Sequence, residues 1–158
     1  MNEFADTARA LIAENKYMVL GTADASGTPW TTPVFFSPDG HRDFYWVSGP
    51  TTRHSRNIAG RPEVSITVFD SRCEIGTAEA VYMSATAAEV PADEHERALR
   101  IFNAKLDVAR HFTVAMVREP DVFRLYRARV TEHSVLIGGS HPLNGKGHDS
   151  RVVVDLTA

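Results

Sequence analysis

The sequence predicts a mainly β (β+α) fold, a small antiparallel barrel carrying helices in its connections. Two observations carry that expectation. About seven short runs rich in Val, Ile, Thr, Phe, Tyr and Trp alternate with clusters of Gly, Asp, Ser and Pro, the pattern of strands joined by turns. Only two long segments place apolar side chains at helical spacing. The length, 158 residues, suits one domain with a substantial core, and residues 1–158 are expected to form it.

The elements follow in order. Residues 2–15 form a helix, with Phe4, Ala8, Leu11 and Ile12 sharing a face. Residues 17–23 are a compact apolar strand. Asp24-Ala-Ser-Gly27 turns it back, because glycine permits a positive φ and the aspartate can bond nearby amides. Residues 30–36 give a second strand, Ser37-Pro-Asp-Gly40 a second turn and 44–48 a third strand, an antiparallel meander. Polar residues 49–60 interrupt it. Thr51 or Thr52 can cap a short helix there, which Gly60 ends, with Pro62 beyond. Strands follow at 64–69 and 80–90, around a loop at 73–76. The Ala and Ser content of 80–88 suits close approach of another surface. Residues 92–106 are a helix, because Asp93, Glu94 and Glu96 complement its positive end and His95, Leu99, Phe102 and Leu106 form one stripe. Residues 122–130 alternate, with Val122, Arg124 and Tyr126 opposite Phe123, Leu125 and Arg127. Residues 134–137 and 151–156 are short final strands, and 138–150 is a loop of Gly, His and Asn.

Composition excludes several function classes. Seventeen Lys and Arg against 20 Asp and Glu give a net charge of −3, without the basic footprint of a nucleic-acid binder. No apolar run approaches the ~20 residues that cross a bilayer, and the N-terminal residues lack the apolar stretch of a signal peptide. No membrane partner is expected, and the expected location is cytoplasmic. One cysteine, Cys73, excludes an intramolecular disulfide and a multi-cysteine zinc site. His133, His141 and His148 are irregularly spaced, so no metal site is expected. The glycine patterns of P-loop and dinucleotide folds are missing.

Chemistry concentrates in residues 48–64, SGPTTRHSRNIAGRPEV. Thr51, Thr52, Arg53, His54 and Arg56 bring together hydroxyls, guanidinium groups and the free amides of a helix start, the donors a phosphate dianion needs. A solvated connection with ordinary surface arginines has the same composition. The order of the surrounding pieces decides between the two. Met18-Val-Leu-Gly-Thr-Ala23, Gly27-Thr-Pro-Trp-Thr-Thr-Pro-Val-Phe-Phe36, Phe44-Tyr-Trp-Val-Ser48, Thr52-Arg-His-Ser-Arg-Asn-Ile58 and Arg61-Pro-Glu-Val-Ser-Ile66 together resemble the pyridoxamine 5′-phosphate oxidase-like family of FMN-binding split β-barrels. The resemblance spans about residues 11–90.

That resemblance implies a Greek-key-like split β-barrel with peripheral helices, and FMN as cofactor. Thr31, Thr32, Pro33 and Val34 would line the flavin ring and ribityl chain. Ser48 would bond near the phosphate, and Thr52, Arg53 and His54 would hold it, with Arg56 as helper. Relatives commonly carry Lys where His54 stands, and a neutral imidazole brings one donor and no charge. The resemblance implies a homodimer with each cofactor in the seam between subunits, and a flavin-dependent oxidoreductase moving electrons or hydride to or from a small-molecule substrate. No side chain is assigned as acid–base catalyst. The same fold also serves deazaflavin-dependent reductases and non-catalytic flavin- or haem-binding proteins, which stand as alternatives.

Overall fold

The architecture comes from a computed structural model that describes residues 3–156. Helix α1 (Glu3–Glu14) buries Ala5, Ala8, Leu11 and Ile12, the face set by its apolar spacing. The strands are β1 (Tyr17–Ala23), β2 (Pro29–Phe35), β3 (Ser37–Asp39), β4 (Asp43–Ser48), β5 (Glu63–Phe69), β6 (Ala80–Glu89), β7 (Arg124–Ile137) and β8 (Ser150–Val154). Helix α2 (Arg53–Gly60) joins β4 to β5, and α3 (His95–Asn103) follows β6. All strand pairs are antiparallel, in the order β2-β1-β5-β6-β7-β4-β3, with β8 also on β7. The sheet curls into a half-barrel, so β2 at one end of the order comes near β4.

Two apolar clusters hold this shape, and β4 belongs to both. Phe44, Tyr45 and Trp46 are all fully buried. Successive strand residues point to opposite faces, so three buried in a row means that both faces are covered. Phe44 and Trp46 join the core inside the curl, with Met18, Leu20 and Ile66. Tyr45 joins a second cluster with Leu99 and Phe102 of α3. Ser37 Oγ donates to the Phe102 carbonyl at 2.8 Å, which fastens α3 over the short strand β3.

Several elements differ from the sequence expectation. The strands expected at 122–130 and 134–137 are one 14-residue strand, β7. Its first half pairs with β4 and its second with β8, while β6 flanks both. A bulge makes the change of partner possible: Ala85 faces Val130 and Ser84 faces Glu132, and the Thr131 hydroxyl donates to the Ser84 carbonyl at 3.1 Å. The alternation at 122–130 does not separate inside from outside, since Arg124, Leu125 and Tyr126 are all buried. Arg124 is accommodated because its guanidinium donates to the Asp121 carbonyl at 2.7 Å and lies near Glu89 and Glu119. The expected turn at 37–40 contains β3, and Gly40 alone takes the positive φ, +58°. The helix expected at 92–106 begins as a 3₁₀ turn at Ala92–Glu94 and ends at Asn103. The small residues of β6 point mostly inward, for Ala80, Ala85 and Ala87 are buried. Asn2, the expected start of α1, lies outside the described residues.

The glycine-rich connection 138–149 is closed on itself. Gly147 N–H donates to the Gly139 carbonyl at 3.0 Å, and Gly139 N–H donates to Asp149 at 3.2 Å. A Cβ at Gly145 would come within 2.5 Å of the Gly139 carbonyl oxygen, so only glycine fits. The His141 ring lies 5.6 Å from that of Phe4, which docks the loop on α1. His133, His141 and His148 do not converge; among the described residues no three of His, Cys, Asp and Glu form a group that could hold a metal.

Candidate functional site

Helix α2 begins beside the free edge of β2. Thr52 is its N-cap residue, with extended backbone angles (φ −66°, ψ 156°). Its hydroxyl makes no capping bond and lies 2.9 Å from both the Gly49 carbonyl and Ser55 Oγ. The first-turn amides of the helix therefore receive nothing from the cap side chain, and they carry the positive end of the helix dipole.

The short polar side chains around them form a connected network. His54 Nε2 lies 2.9 Å from Ser48 Oγ and 3.2 Å from Thr52 Oγ1. Asn57 Nδ2 donates to Thr22 Oγ1 at 3.0 Å, pinning α2 to β1. Burial holds the His54 imidazole below its ordinary pKa, so it is neutral at pH 7. Arg53 and Arg56 are exposed positive charges at this end of the molecule, with no carboxylate within 4.0 Å of either among the described residues; Arg61 and Asp24 lie at the neighbouring β1–β2 turn, where Arg61 donates to the Ala25 carbonyl at 3.2 Å. The positive field of Arg53 reaches Asp24, whose carboxyl is held below its usual value mainly by the Ser26 hydroxyl and the Thr28 amide.

β2 contributes an edge. Among the described residues it pairs only with β1, so half of its main-chain groups point away from any strand. Pro29 and Pro33 have no N–H to give and suit those outward positions. The Phe36 amide, of opposite parity, bonds inward to the Lys16 carbonyl at 3.2 Å. By the two-residue period, the outward amides of β2 belong to Thr31 and Phe35.

The sequence-derived candidates fall into three groups. Ser48, Thr52 and His54 are hydrogen-bonded together. Arg53 reaches across to β2, where its guanidinium lies 4.5 Å above the Trp30 ring, while Arg56 sits further along α2. Thr31, Thr32, Pro33 and Val34 line the edge strand in two registers. Thr32 and Val34 pair with the inward residues Leu20 and Met18; Thr31 and Pro33 lie on the opposite face and are exposed. Val34 is buried, so a ligand along this edge meets its main chain and not its side chain.

Three contributors were not among those candidates. Trp30 is partly exposed under Arg53, whereas the nearby aromatics Phe36, Phe44, Tyr45 and Trp46 are fully buried. Its position two residues before Thr32 already placed it on the α2 side of the strand. Asn57 and Ser55 hold the helix start in place, and nothing in their spacing distinguishes them from surface polar residues.

The comparisons with known proteins agree with this fold. The chain is similar in structure to a haem-binding protein from Mycobacterium smegmatis (TM-score 0.73, 19% identity), covering 97% of this chain and 59% of that one. It thus spans less than two thirds of that relative's length. It is similar to HutZ, the haem storage protein from Vibrio cholerae (TM-score 0.67, 19% identity, 89% of this chain and 95% of that one). It is also similar to an FAD-binding protein from Mesorhizobium loti (TM-score 0.60, 16% identity, 81% and 90%). No curated protein matches the sequence. No helix of the described residues is long and apolar enough to cross a membrane. The profile of the pyridoxamine 5′-phosphate oxidase family matches residues 4–135, most of the chain, and to that family of split β-barrels this protein belongs.

Proposed function

We propose that the protein is an FMN-dependent oxidoreductase acting on a small molecule. The observation that carries this reading is the pairing of an uncapped helix start and two carboxylate-free arginines with an open strand edge. A phosphate ester needs the first, and the polar rim of a flat heterocycle needs the second. The residues present therefore fit FMN. Arg53, Thr52 and the first-turn amides would hold the phosphate, with Ser48 and His54 behind them and Arg56 alongside. The outward Thr31 amide and the β2 carbonyls would meet the ring edge, and Trp30 would close the site beneath Arg53. When bound, FMN would supply hydride and electron exchange. The chain's part is to grip, orient and exclude water.

A symmetric homodimer belongs to the same proposal. Tyr17, Val19 and Gly21 of β1, Thr31 and Pro33 of β2, and Ser65, Thr67 and Phe69 of β5 lie side by side on the outer face of the sheet. None is charged, and Tyr17 and Phe69 are 60% and 43% exposed. A partly apolar sheet face whose one strand charge is Glu63 at the start of β5 suits a second copy, which would place the β2 edge and its ligand in the seam.

The haem-binding names of two structural relatives support a second reading, haem carriage without turnover. Titrating the apoprotein with FMN under flavin-fluorescence detection, with the absorbance spectrum of the co-purifying ligand, separates them. Saturable quenching and a yellow flavin spectrum are expected. A Soret band without flavin binding would replace this proposal with the haem reading, and a spectrum shifted to the blue would identify a deazaflavin.

A further inference from the structure

At the Phe35 end of β2 lies a second recess, a cavity of about 630 Å³ that the cofactor proposal does not use. Its wall is a run of interlocked rings. Tyr17 meets Phe35 edge-to-face at 6.1 Å, Phe35 meets Phe102 at 5.6 Å, and Phe102 meets Phe112 at 5.9 Å. Three cations border it, Lys16, Lys105 and Arg110, against a single exposed carboxylate, Asp107. No carboxylate lies within 4.0 Å of any of the three among the described residues.

Lys105 is the cation built into this site. It is half-buried; its Nζ donates to the Asn15 carbonyl at 3.0 Å and lies 4.3 Å from the Phe36 ring centroid. The Phe35 ring centroid is 5.8 Å away, and the Asn15 carbonyl is the one hydrogen-bond acceptor of this ammonium among the described residues, so it keeps donors for a ligand. In a partly dry recess an incoming anion binds such a group more strongly than it would in water. Burial already pushes the Lys105 amine below its ordinary pKa, the strain that an anionic ligand would relieve.

We infer that this recess is the substrate site and that it takes a small planar aromatic carboxylate, the ring lying against Phe35 and Phe112 and the carboxylate on Lys105, with Arg110 and Lys16 at the rim. The position rests on the flavin proposal: Phe35 follows Val34 on β2, and Val47 precedes Ser48 on β4, so the recess continues the two strands that line the cofactor site. The volume falls within the range of small-molecule pockets. Offset and edge-to-face contacts supply the affinity for a ring, and the unpaired ammonium supplies the preference for charge.

Isothermal titration with 2-naphthoate and its neutral isostere 2-naphthamide tests this, on the wild type and on Lys105→Met, Lys105→Arg and Arg110→Gln. Saturable naphthoate binding is expected, with naphthamide at least tenfold weaker. Lys105→Met should lose about tenfold in naphthoate affinity and little for naphthamide, Lys105→Arg should retain most of it, and Arg110→Gln should lose less than Lys105→Met. Equal affinity for the two probes, or naphthoate binding unaffected in both Lys105→Met and Arg110→Gln, would overturn the assignment. FMN binding is scored separately by flavin fluorescence. Lys105-dependent naphthoate binding without FMN binding would leave the recess as an anion site and remove the flavin proposal, whereas the reverse result would leave the flavin and remove the recess.

Discussion

The two ends of β2 are built on different principles. Near Trp30, short side chains fix one another: Ser48, His54, Thr52 and Ser55 lie within hydrogen-bond distance in sequence, and Asn57 ties the helix beneath them to Thr22. Near Phe35, rings fix one another by edge-to-face packing, and the charges ride on long stems. The first arrangement holds donors in one geometry and suits a compact anion of fixed shape. The second fixes a surface and one ammonium, Lys105, while Lys16 and Arg110 ride on exposed stems at the rim, so it distinguishes charge and flatness more than outline. Under the proposed function, a cofactor that must always sit in one pose suits the first end, and a substrate that must enter and leave suits the second.

The sharpest way to break this contrast is to remove a ring. Phe102 is buried and touches both Phe35 and Phe112. Phe102→Ala should cost about 3–5 kcal/mol in stability, read by urea denaturation, and should affect the recess before it affects FMN. Loss of less than about 1 kcal/mol would mean that the ladder contributes little. Removing the exposed charge at the other end should act in the opposite way. Arg53→Ala should weaken FMN binding by about 1.5–3 kcal/mol through loss of charge-assisted bonds to phosphate, with little change in melting temperature. An unchanged dissociation constant would take Arg53 out of the site.

The smallest expected effect is one of pH. His41, His54 and His133 are all held below the ordinary 6.5, chiefly because burial disfavours the imidazolium. As pH falls below about 6.5, their unfolded counterparts take up protons before the folded ones do, which favours unfolding. Stability is therefore complete above that pH and declines as pH falls through the folded values. Thermal melting at pH 5 should lie below that at pH 7.5, and His54→Gln should narrow the gap by removing one of the three contributors. Identical melts at the two pH values would contradict the buried, neutral state of these rings.

The sequence carried some of this plainly and some of it not at all. The β1–β2 hairpin was legible because apolar alternation and turn residues coincide there; Asp24 does close its turn, accepting from Ser26 and Thr28. The expected meander does not continue through β4, which pairs with β3 and β7 at the far end of the strand order from β2, because the chain leaves the sheet edge after Phe35. The unity of β7 was hidden because Thr131 and Glu132 break the apolar pattern where the bulge keeps the chain extended. β3 was hidden because Pro38 and Asp39 are turn residues that here sit on a sheet edge. The cluster of Ser48, Thr52 and His54 with the neighbouring arginines was legible because these residues lie within nine positions of one another, from Ser48 to Arg56. The aromatic recess was not, since Lys16, Phe35, Val47, Lys105 and Phe112 come from five separate stretches, brought together by the β1–β2 pairing and by the packing of α3 and the chain after it against β4.

The prolines of β2 have a consequence for how this protein behaves in concentrated solution. An unprotected sheet margin invites foreign chains to add on and seed fibrous assemblies. Here every second outward donor is missing, at Pro29 and Pro33, so an intruding strand finds no continuous ladder to extend. A margin left open to a small guest is thereby kept shut against polymerisation.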